Sequence, residues 1–389
     1  MVARLMVEVL DRATCVLFEN DAQVEIEDRT VWVASSKHSF GGLGNLLINL
    51  WRLVVVQVAK LAFRPDVTIS HLEGPNFANL LTWFGGRRIV FIHNRLSNSY
   101  LTHQARDKVL LALGRFLYKR ADIVVAVSEG VKAELLSNFE VDSSKVFVLP
   151  NPIDIKNIRL AASTKYGNDC DRLCKEAYIV SVASLTEQKN HKAMLRLYAK
   201  IISFAPEFHQ LKLVLLGEGP LKNQLQEECL QLGLHYFDGS SCKRFDQKPQ
   251  VFFLGFQPNP YPLLSNARML MMTSKWEGLP IALLEAMALG VPSAVTDCSE
   301  SIREVFGVQR ASEDRTSQGL LSTGLGILLP LDFDGSGNLE NSTRMICDLI
   351  INPQARDRVT QNCVLQAEKY GIDSVSQIWR EKLFEGRSP

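Results

Sequence analysis

The sequence predicts an α/β fold of two doubly wound domains, and three observations carry that prediction. Segments such as IVFIH at 89–93 and IVVAV at 123–127 are apolar at nearly every position, which is typical of parallel strands buried on both faces. Short strands of this kind alternate with helical patterns along the chain, which favours a doubly wound sheet. The chain has 389 residues, whereas single hydrophobic cores stop growing at about 250–300 residues.

The composition is that of an ordinary globular protein. Hydrophobic residues make up 46% and charged residues 22%, and the formal net charge is +1. These values argue against disorder, collagen and coiled coils, and the balanced charge argues against a surface that binds nucleic acid. The 8 cysteines include no Cys-x-x-Cys pair and are too sparse for a disulfide scaffold.

The sequence pattern of the first half of the chain predicts an N-terminal α/β domain over 1–154. Strands are predicted at 14–18, 31–34, 67–70, 88–93, 122–128 and 145–150, and helices at 1–10, 43–63, 75–83, 104–119 and 129–136. The helix at 43–63 is the most apolar stretch, but Arg52 and Lys60 interrupt it. We therefore expect it to be buried on a sheet rather than to span a membrane. The N-terminus lacks the apolar run of a signal peptide, so we expect a cytoplasmic protein.

A second α/β series follows a break at Pro150-Asn151-Pro152. Residues 155–176 are expected to form a linker with a short helix, 177–370 the second domain, and 371–389 a C-terminal helix that packs back on the first domain. Strands are predicted at 178–182, 212–216, 251–254, 269–273, 293–295 and 326–329, and helices at 192–203, 221–232, 280–289, 337–351 and about 374–384. In such folds ligands bind in a cleft at the carboxyl ends of the strands.

The segment SKWEGLPIALLEAMALGVP at 274–292 carries the most chemical information. It follows a predicted strand, turns at Gly278 and starts a helix at Pro280, and the free amides of a helix start suit a diphosphate. Glu277 and Glu285 lie beside that helix start, where carboxylates can accept hydrogen bonds from sugar hydroxyls. An isolated pair with this spacing would more often be a solvated loop residue and a partner of the helix dipole.

In its context this segment resembles the Glu-x7-Glu element of glycosyltransferase family 4, whose members are retaining GT-B glycosyltransferases with two Rossmann-like domains. The bacterial branch that builds lipopolysaccharide or capsule is the most similar. The resemblance implies that Glu277 contacts the transferred sugar and Glu285 the ribose. It also implies that Gly278, Leu279 and Ile281 line the nucleotide-sugar site.

Other segments resemble the same family in the expected order. Gly217-Glu218-Gly219-Pro220 is similar to a GDGP-like turn, and VFFLGF, which ends at Phe256, is similar to the strand whose backbone holds the base. Asn151 resembles the hinge at the domain boundary. Further matches are Ser128-Glu129-Gly130-Val131, Thr296-Asp297-Cys298 and Arg303-Glu304.

Two more residues are candidates for the reaction itself. Lys189 resembles the lysine that neutralises the donor diphosphate, a role suited to a point charge. The family usually has an arginine shortly before it, where this chain has Ser184, which can donate a hydrogen bond but carries no charge. His93 ends a buried strand, and the resemblance implies that this position faces the donor sugar, although a histidine at a strand end is more often structural.

A basic run between Arg87 and Arg120 suggests a membrane contact. Eight Lys and Arg in this run accompany a single acidic residue, Asp107, and Trp83, Phe84, Tyr100 and Tyr118 lie at or within it. Such a pattern suits anionic lipid headgroups, although a solvated basic helix would have the same composition. We expect contact with the inner leaflet through residues 83–120.

The resemblance covers nearly the whole chain but begins late. Family members usually open with a buried strand, a Gly-Gly loop and a helix, whereas here residues 1–10 already have the pattern of that helix. Gly41-Gly42 lies one unit too far along and is interpreted as a local loop. We therefore expect the first strand of the N-terminal domain to be missing from this sequence.

The resemblance implies a retaining transferase that moves a sugar from a UDP- or GDP-sugar to a hydroxyl of a glycan or lipid-linked glycan. His93, Lys189 and Glu277 are its candidate catalytic residues. A non-catalytic GT-B-like subunit and a sugar-nucleotide epimerase are the alternatives. Asp332-Phe333-Asp334 has the spacing of an Asp-x-Asp motif but is expected to be a solvated loop, and we expect neither a metal nor another cofactor.

Overall fold

The computed structural model describes residues 15–17, 31–33, 42–94, 105–166, 169–239, 249–308, 321–333 and 338–385. They belong to two compact units. The first comprises Met1–Pro152 and Val375–Pro389, and the second comprises Ile153–Ser374. Within the described part of the chain, no helix is both long enough and apolar enough to cross a lipid bilayer.

The first unit contains parallel strands that alternate with helices, as predicted. Its strands are β1 Cys15–Leu17, β2 Val31–Val33, β3 Val67–His71, β4 Arg87–Ile92, β5 Ile123–Ala126 and β6 Val146–Val148. Its helices are α1 Gly42–Phe63, α2 Glu73–Leu81, α3 Ala105–Tyr118 and α4 Glu129–Ser137. Strands β1 and β2 pair with each other, and β3 to β6 form a four-stranded sheet in chain order. The predicted helix at 1–10 and Gly41 lie outside the described residues.

Helix α1 differs from the prediction of a buried helix. Ala59 and Lys60 are buried, and the Lys60 ammonium donates to the backbone O of Asn79 on α2 at 2.7 Å. The opposite face is open to solvent. Its exposed apolar residues, called the α1 stripe below, are Leu47, Leu50, Trp51, Val54, Val58 and Leu61. The prediction was wrong because the helix is apolar on almost all sides, so its sequence pattern does not show which side is covered.

The second unit is built on one eight-stranded sheet. Its strands are β7 Tyr178–Val182, β8 Lys212–Leu216, β9 Tyr236–Asp238, β10 Val251–Gly255, β11 Met269–Met272, β12 Ser293–Thr296, β13 Leu321–Thr323 and β14 Gly326–Leu329. Their order is β13-β14-β12-β11-β7-β8-β10-β9. The pair β13–β14 is antiparallel and the other neighbours are parallel. This arrangement confirms a Rossmann-like second domain.

Helices cover both faces of this sheet. Those that match predicted helices are α7 His191–Ile202, α8 Lys222–Gln231, α10 Ile281–Ala288 and α12 Asn338–Ile351. Those that the sequence patterns missed are α9 Tyr261–Ser265, α11 Glu300–Val305 and α13 Pro353–Glu368. The expected linker carries α5 Ile155–Ala162 and α6 Asp169–Leu173, and Ile155 and Ile158 of α5 are buried.

Helix α13 supports the helix that carries Glu285. The Thr360 hydroxyl on α13 donates to the backbone O of Gly290, just after α10, at 2.8 Å. The apolar stripe of α13 is narrow, since its buried residues are Val359, Cys363 and Ala367. One buried residue per turn is too weak a period to predict a helix from the sequence. Its start is capped by Asn352, whose side chain accepts from Ala355 N.

The last helix, α14 Ile372–Trp379, continues into a π-helical turn at Arg380–Glu385. Val375 and Trp379 belong to the hydrophobic core of the first unit, together with Ile89, Phe91, Ile123, Val125 and Leu149. The rings of Trp379 and Phe91 lie 5.9 Å apart in an edge-to-face arrangement. The core of the first unit therefore includes residues that follow the second unit in the sequence.

Candidate donor-binding site in the second unit

The predicted donor residues follow five neighbouring strands of the second sheet. In the order β12-β11-β7-β8-β10, these strands are followed by Asp297, Thr273, Ala183, Gly217 and Phe256. Because the carboxyl ends of parallel strands lie at one edge of a sheet, these residues share that edge. It is the edge at which ligands bind in doubly wound folds.

Gly217 and Gly219 allow the chain after β8 to lie against the chain after β7. A Cβ on Gly217 would collide with the backbone O of Ala183, and a Cβ on Gly219 with the backbone O of Leu185. Gly217 also has a φ of 148°, which L side chains rarely adopt. The backbone N of Leu185 donates to Glu218 O at 2.9 Å. Glycine is therefore required here by close backbone contact, which gives the GDGP-like turn a physical basis.

Lys189 and Glu277 form an ion pair at the centre of this edge. Lys189 Nζ lies 2.6 Å from Glu277 Oε1, and the Ser274 hydroxyl donates to the same oxygen at 2.6 Å. Glu277 is 5% exposed. A buried carboxylate needs such partners, since an unpaired one would carry a large desolvation cost.

The loops that carry these two residues are held together by further hydrogen bonds. The Thr273 hydroxyl lies within donating distance of the backbone O atoms of Lys189, at 3.0 Å, and Asn190, at 3.1 Å. The Gln188 amide donates to Trp276 O at 2.9 Å, and Lys275 N donates to Gln188 O at 2.8 Å. Lys189 and Glu277 therefore sit on loops that support each other.

Glu285 has different partners from Glu277. It lies on α10 and is 9% exposed, and its Oε1 accepts a hydrogen bond from the Tyr261 hydroxyl at 2.9 Å. Burial raises the pKa of Glu285 to about 7, while the hydrogen bond from Tyr261 acts in the opposite direction. Its charge therefore changes near neutral pH, a property that buried carboxyl groups in binding sites often have.

The remaining predicted donor residues of the second unit differ in their exposure to solvent. Gly278 and Leu279 are buried, Ile281 is half-buried at the start of α10, and Ser184 is exposed. Pro280 precedes the first helical residue with an extended backbone, so it lies one position earlier than the predicted first turn. Phe256 follows β10 with 52% of its surface exposed.

The segment after β12 is held by a charged pair. The Arg303 guanidinium donates to both carboxylate oxygens of Asp297, and the distances from Nε are 2.8 Å. The Thr296 hydroxyl donates to Ser274 O at 2.6 Å. This contact fixes the backbone of Ser274, whose hydroxyl bonds to Glu277. Within the portion of the chain described, no group of three or more His, Cys, Asp and Glu could hold a metal ion.

His93 belongs to the first unit, where it contacts a second histidine. His93 Nε2 and His71 Nδ1 lie 3.0 Å apart. Burial lowers the pKa of His93 to about 4, and the nearby side chain of Asn151 acts in the opposite direction. Asn151 is buried, and its Oδ1 has no hydrogen-bond partner within the described part of the chain.

Ser128 caps α4 by accepting from Val131 N at 3.3 Å, which explains the small turn residue before that helix.

The basic run is partly neutralised by acidic residues that follow it. Arg88 lies 3.5 Å from Asp122, and Lys119 lies 2.7 Å from Glu140. Tyr118 is fully buried, so its predicted place among interfacial aromatics is wrong. Arg95, Tyr100 and the side chain of Arg106 lie outside the described residues. Trp83 and Phe84 are 73% and 69% exposed.

Sequence reasoning missed Ser274, Tyr261 and His71. Ser274 follows β11 directly, so its place at the ligand edge could have been read from the strand prediction. His71 ends β3, the neighbour of the strand that leads to His93, and the same argument applies to it. Tyr261 lies on a five-residue helix that no periodicity could reveal.

Comparison with known families covers most of the chain. Residues 172–311 match the model of the family described as Glycosyl transferases group 1, and residues 4–157 match that of Glycosyltransferase Family 4. The two matches lie in the second and first halves of the chain. They correspond to the two Rossmann-like units of the fold.

Curated relatives are similar over part of their length. An uncharacterized glycosyltransferase of Methanocaldococcus jannaschii is 26% identical over 254 residues, which cover 63% of this chain and 58% of the relative. The N-acetylgalactosamine-N,N'-diacetylbacillosaminyl-diphospho-undecaprenol 4-alpha-N-acetylgalactosaminyltransferase of Campylobacter jejuni is 29% identical over 265 residues, or 66% of each chain. The matched regions thus span less than two thirds of these relatives.

A solved structure shares the fold. HepE of Anabaena, crystallised with UDP and glucose, superposes with a TM-score of 0.72 at 18% identity, over 98% of this chain and 94% of that one. At this identity the likeness shows the fold alone. The fold is GT-B, as the sequence predicted.

Proposed function

Because the chain belongs to glycosyltransferase family 4, we propose that it is a retaining hexosyltransferase-type enzyme that moves a sugar from a nucleotide-diphosphate sugar to a glycan or lipid-linked glycan hydroxyl. The observation that carries this proposal is the Lys189–Glu277 pair beside the start of α10. It brings a cation for phosphate and a carboxylate for hydroxyls together at the ligand edge of the sheet.

Each donor residue has a proposed role that follows from its chemistry. Lys189 neutralises the diphosphate, and the backbone at Gly217 and Gly278 lies close enough for a phosphate or sugar to approach without a side chain between. Ser184 adds one hydrogen bond without charge. Glu277 accepts from hydroxyls of the transferred sugar, and Glu285 from those of the ribose. The aromatic ring of Phe256 and the apolar side chains of Leu279 and Ile281 offer surface to the nucleoside.

Donor binding exchanges partners within the site. In the free chain Glu277 satisfies the charge of Lys189. A diphosphate carries more negative charge than a carboxylate and competes for that lysine. When Lys189 turns to the phosphate, Glu277 keeps its bond from Ser274 and gains capacity for a sugar hydroxyl. The ion pair therefore holds both residues ready without leaving a buried charge unpaired.

Catalysis under this proposal rests on positioning and electrostatics. The acceptor hydroxyl attacks the anomeric carbon on the face from which the diphosphate leaves, and the leaving phosphate oxygen takes the proton. Lys189 stabilises the negative charge that develops on that phosphate, and fixed contacts to the sugar hold it for attack. His93, neutral near pH 7, offers a hydrogen bond to the sugar rather than a nucleophile. No metal takes part in this scheme.

A lipid-linked acceptor at the cytoplasmic face of a membrane is the acceptor we favour. The Campylobacter jejuni relative acts, by its name, on a diphospho-undecaprenol glycan. Two exposed features of the first unit suit a membrane surface, namely Trp83 with Phe84, and the α1 stripe. The Gln57 side chain donates to Trp83 O at 3.3 Å and accepts from Trp83 N at 2.9 Å. These bonds place Trp83 beside α1, so the two apolar features are adjacent.

Binding and hydrolysis of a panel of UDP- and GDP-sugars, measured by calorimetry and by nucleotide release, test the proposed function. We expect saturable binding of one donor, with activity that persists in EDTA. Absence of saturable binding by the whole panel would overturn the donor site. Binding without transfer or hydrolysis would instead favour the non-catalytic subunit.

A further inference from the structure

His71 is a residue to which neither sequence pattern nor resemblance gave a role. We propose that His71 is a positioning residue for His93, which holds one ring nitrogen of His93 and leaves the other to face the substrate. This inference rests on the proposed function for its catalytic consequence. The pairing itself stands on the geometry of the first unit.

The two histidines come from adjacent strands of the same sheet. His71 is the last residue of β3 and lies opposite Phe91 of β4. His93 follows β4 and lies two residues after Phe91, so both residues point to the same face of the sheet. The ring centroids of His71 and Phe91 are 4.6 Å apart, and those of His71 and His93 are 5.2 Å apart with an angle of 30° between planes. The rings of His71, Phe91 and His93 thus form one cluster, in which Phe91 and His93 are 6.2 Å apart.

The short distance between the rings limits where protons can be. His71 Nδ1 and His93 Nε2 are 3.0 Å apart, so one hydrogen lies between them and one ring donates to the other. Burial lowers the pKa of His71 to about 3, and the charge of His93 acts in the same direction. Burial therefore favours the neutral form of both rings near pH 7.

This pairing decides which nitrogen of His93 is available. With Nε2 engaged by His71, Nδ1 is the ring atom left for another group. Asn151 is a polar neighbour of His93, and its side chain raises the pKa of His93. A histidine whose tautomer and ring orientation are fixed offers a sugar hydroxyl one defined hydrogen bond. Without His71 the ring could rotate and exchange tautomers, and loss of alignment at a reacting centre costs about 10²-fold in rate.

Three substitutions at the same position separate positioning from packing. In His71→Asn the side-chain amide takes the place of Nδ1 and can still reach His93. In His71→Gln the amide takes the place of Nε2, one bond further on, and His71→Leu removes hydrogen bonding altogether. Asn and Gln are matched in polarity, so a difference between them reports on the contact with His93.

Two readouts apply to all three variants and to the wild type. The first is kcat and donor KM with the donor found in the panel. The second is the ¹⁵N spectrum of the histidine rings, which reports the tautomer of each of the 7 histidines, with His93 assigned through His93→Gln. Thermal unfolding accompanies both, so that a misfolded variant is recognised.

We expect the wild type and His71→Asn to show a single tautomer of His93 and similar kcat. His71→Gln and His71→Leu should show mixed tautomers and a kcat about 10²-fold lower, with donor KM little changed. A single unchanged tautomer in His71→Leu would overturn the proposal, as would an equal loss of kcat in all three variants. If no donor is turned over by the wild type, the proposed function fails while the tautomer measurement still decides the role of His71.

Discussion

Lys189 Nζ and Glu277 Oε1 lie 2.6 Å apart, with 19% and 6% of their side chains exposed. Two residues that resemblance assigns to different parts of the donor, its diphosphate and its sugar, are thus each other's partners in the free chain. An ion pair this well covered is sensitive to loss of one member, because the other charge is left buried without a partner. Under the proposed function the donor replaces this pair by offering a phosphate to Lys189 and a hydroxyl to Glu277.

Loss of the lysine should weaken donor binding strongly. A hydrogen bond to a charged group contributes about 1.5–3 kcal/mol, so we expect Lys189→Ala to raise the donor Kd by about 10- to 100-fold. Lys275→Ala is the matched control, because Lys275 pairs with Glu187 at 3.3 Å on the surface and such pairs contribute little. Calorimetric titration measures both. Equal Kd values for Lys189→Ala and Lys275→Ala would refute the phosphate role of Lys189.

Donor affinity should depend on pH around neutrality through Glu285. The pKa of Glu285 is raised to about 7 by burial, and we expect the ionised form to accept from the ribose. Affinity should therefore fall as pH decreases from 8 to 6. Tyr261→Phe removes a hydrogen bond that lowers this pKa, so the midpoint of the affinity–pH curve should move upward. Glu285→Gln cannot ionise, so its affinity–pH curve should differ from that of Tyr261→Phe. If the two variants gave the same affinity–pH curve, this assignment would be contradicted.

The same carboxyl group should limit stability at alkaline pH. Its folded-state pKa lies above the ordinary value, so the stabilisation by the protonated form is complete below about 4.5 and is lost as pH rises through about 7. Glu285→Gln cannot ionise. We expect the urea midpoint of this variant to exceed that of the wild type at pH 8 by more than it does at pH 5.5. An unchanged difference at the two pH values would show that Glu285 does not ionise in this range.

Gly217 should tolerate no side chain. In Gly217→Ala the new methyl group would meet the backbone O of Ala183, so the chain after β8 must move away from the chain after β7. We expect a loss of thermal stability together with weaker donor binding. Gly233→Ala serves as the control. Gly233 also has a positive φ, of 70°, but a Cβ there has no atom within 4 Å, so the substitution carries only the backbone cost of about 1–2 kcal/mol. Similar losses in both variants would show that backbone strain, and not close approach, explains Gly217.

The exposed aromatic pair should contribute to membrane binding. Transfer of a large apolar side chain out of water is favourable by about 1.5–3 kcal/mol, so replacing both Trp83 and Phe84 by Ser should reduce binding to vesicles by at least tenfold. Vesicles of phosphatidylglycerol and phosphatidylethanolamine, assayed by co-sedimentation, measure it. Phe204→Ser in the second unit, where Phe204 is 47% exposed, is the control. If neither the Trp83 and Phe84 double change nor Phe204→Ser reduced vesicle binding, the aromatic pair would not contribute to membrane contact.

Most of the strands and the ligand edge could be predicted from sequence because each rests on local pattern, whereas the short strands β9 and β13 were not predicted. Apolar runs marked the parallel strands, and the predicted helix start after Thr273 marked the carboxyl end of β11 as the candidate site. The partners of the candidate residues could not be predicted in this way. The hydrogen bonds between Tyr261 and Glu285 and between His71 and His93 join residues on separate elements, and local periodicity contains no information on such pairs.

The sequence also did not predict which faces of the helices are buried. The apolar surface of α1 gave a strong helix signal, but which face would be covered depends on neighbours far along the chain. Helix α13 shows the reverse case, since it is polar on most sides and still packs through Val359, Cys363 and Ala367. In both cases the number of apolar residues in the helix did not predict how much of its surface is covered.

The position of Val375 and Trp379 in the core of the first unit has a consequence for biosynthesis. On the ribosome, the strands that surround these residues emerge more than 220 positions before Val375 does, whereas the second unit emerges as one continuous segment. The second unit can therefore fold co-translationally, while the first unit has its sheet uncovered at that place until the segment with Val375 and Trp379 has been synthesised. Chaperones that bind nascent apolar surface would therefore have a longer time to bind the first unit than the second.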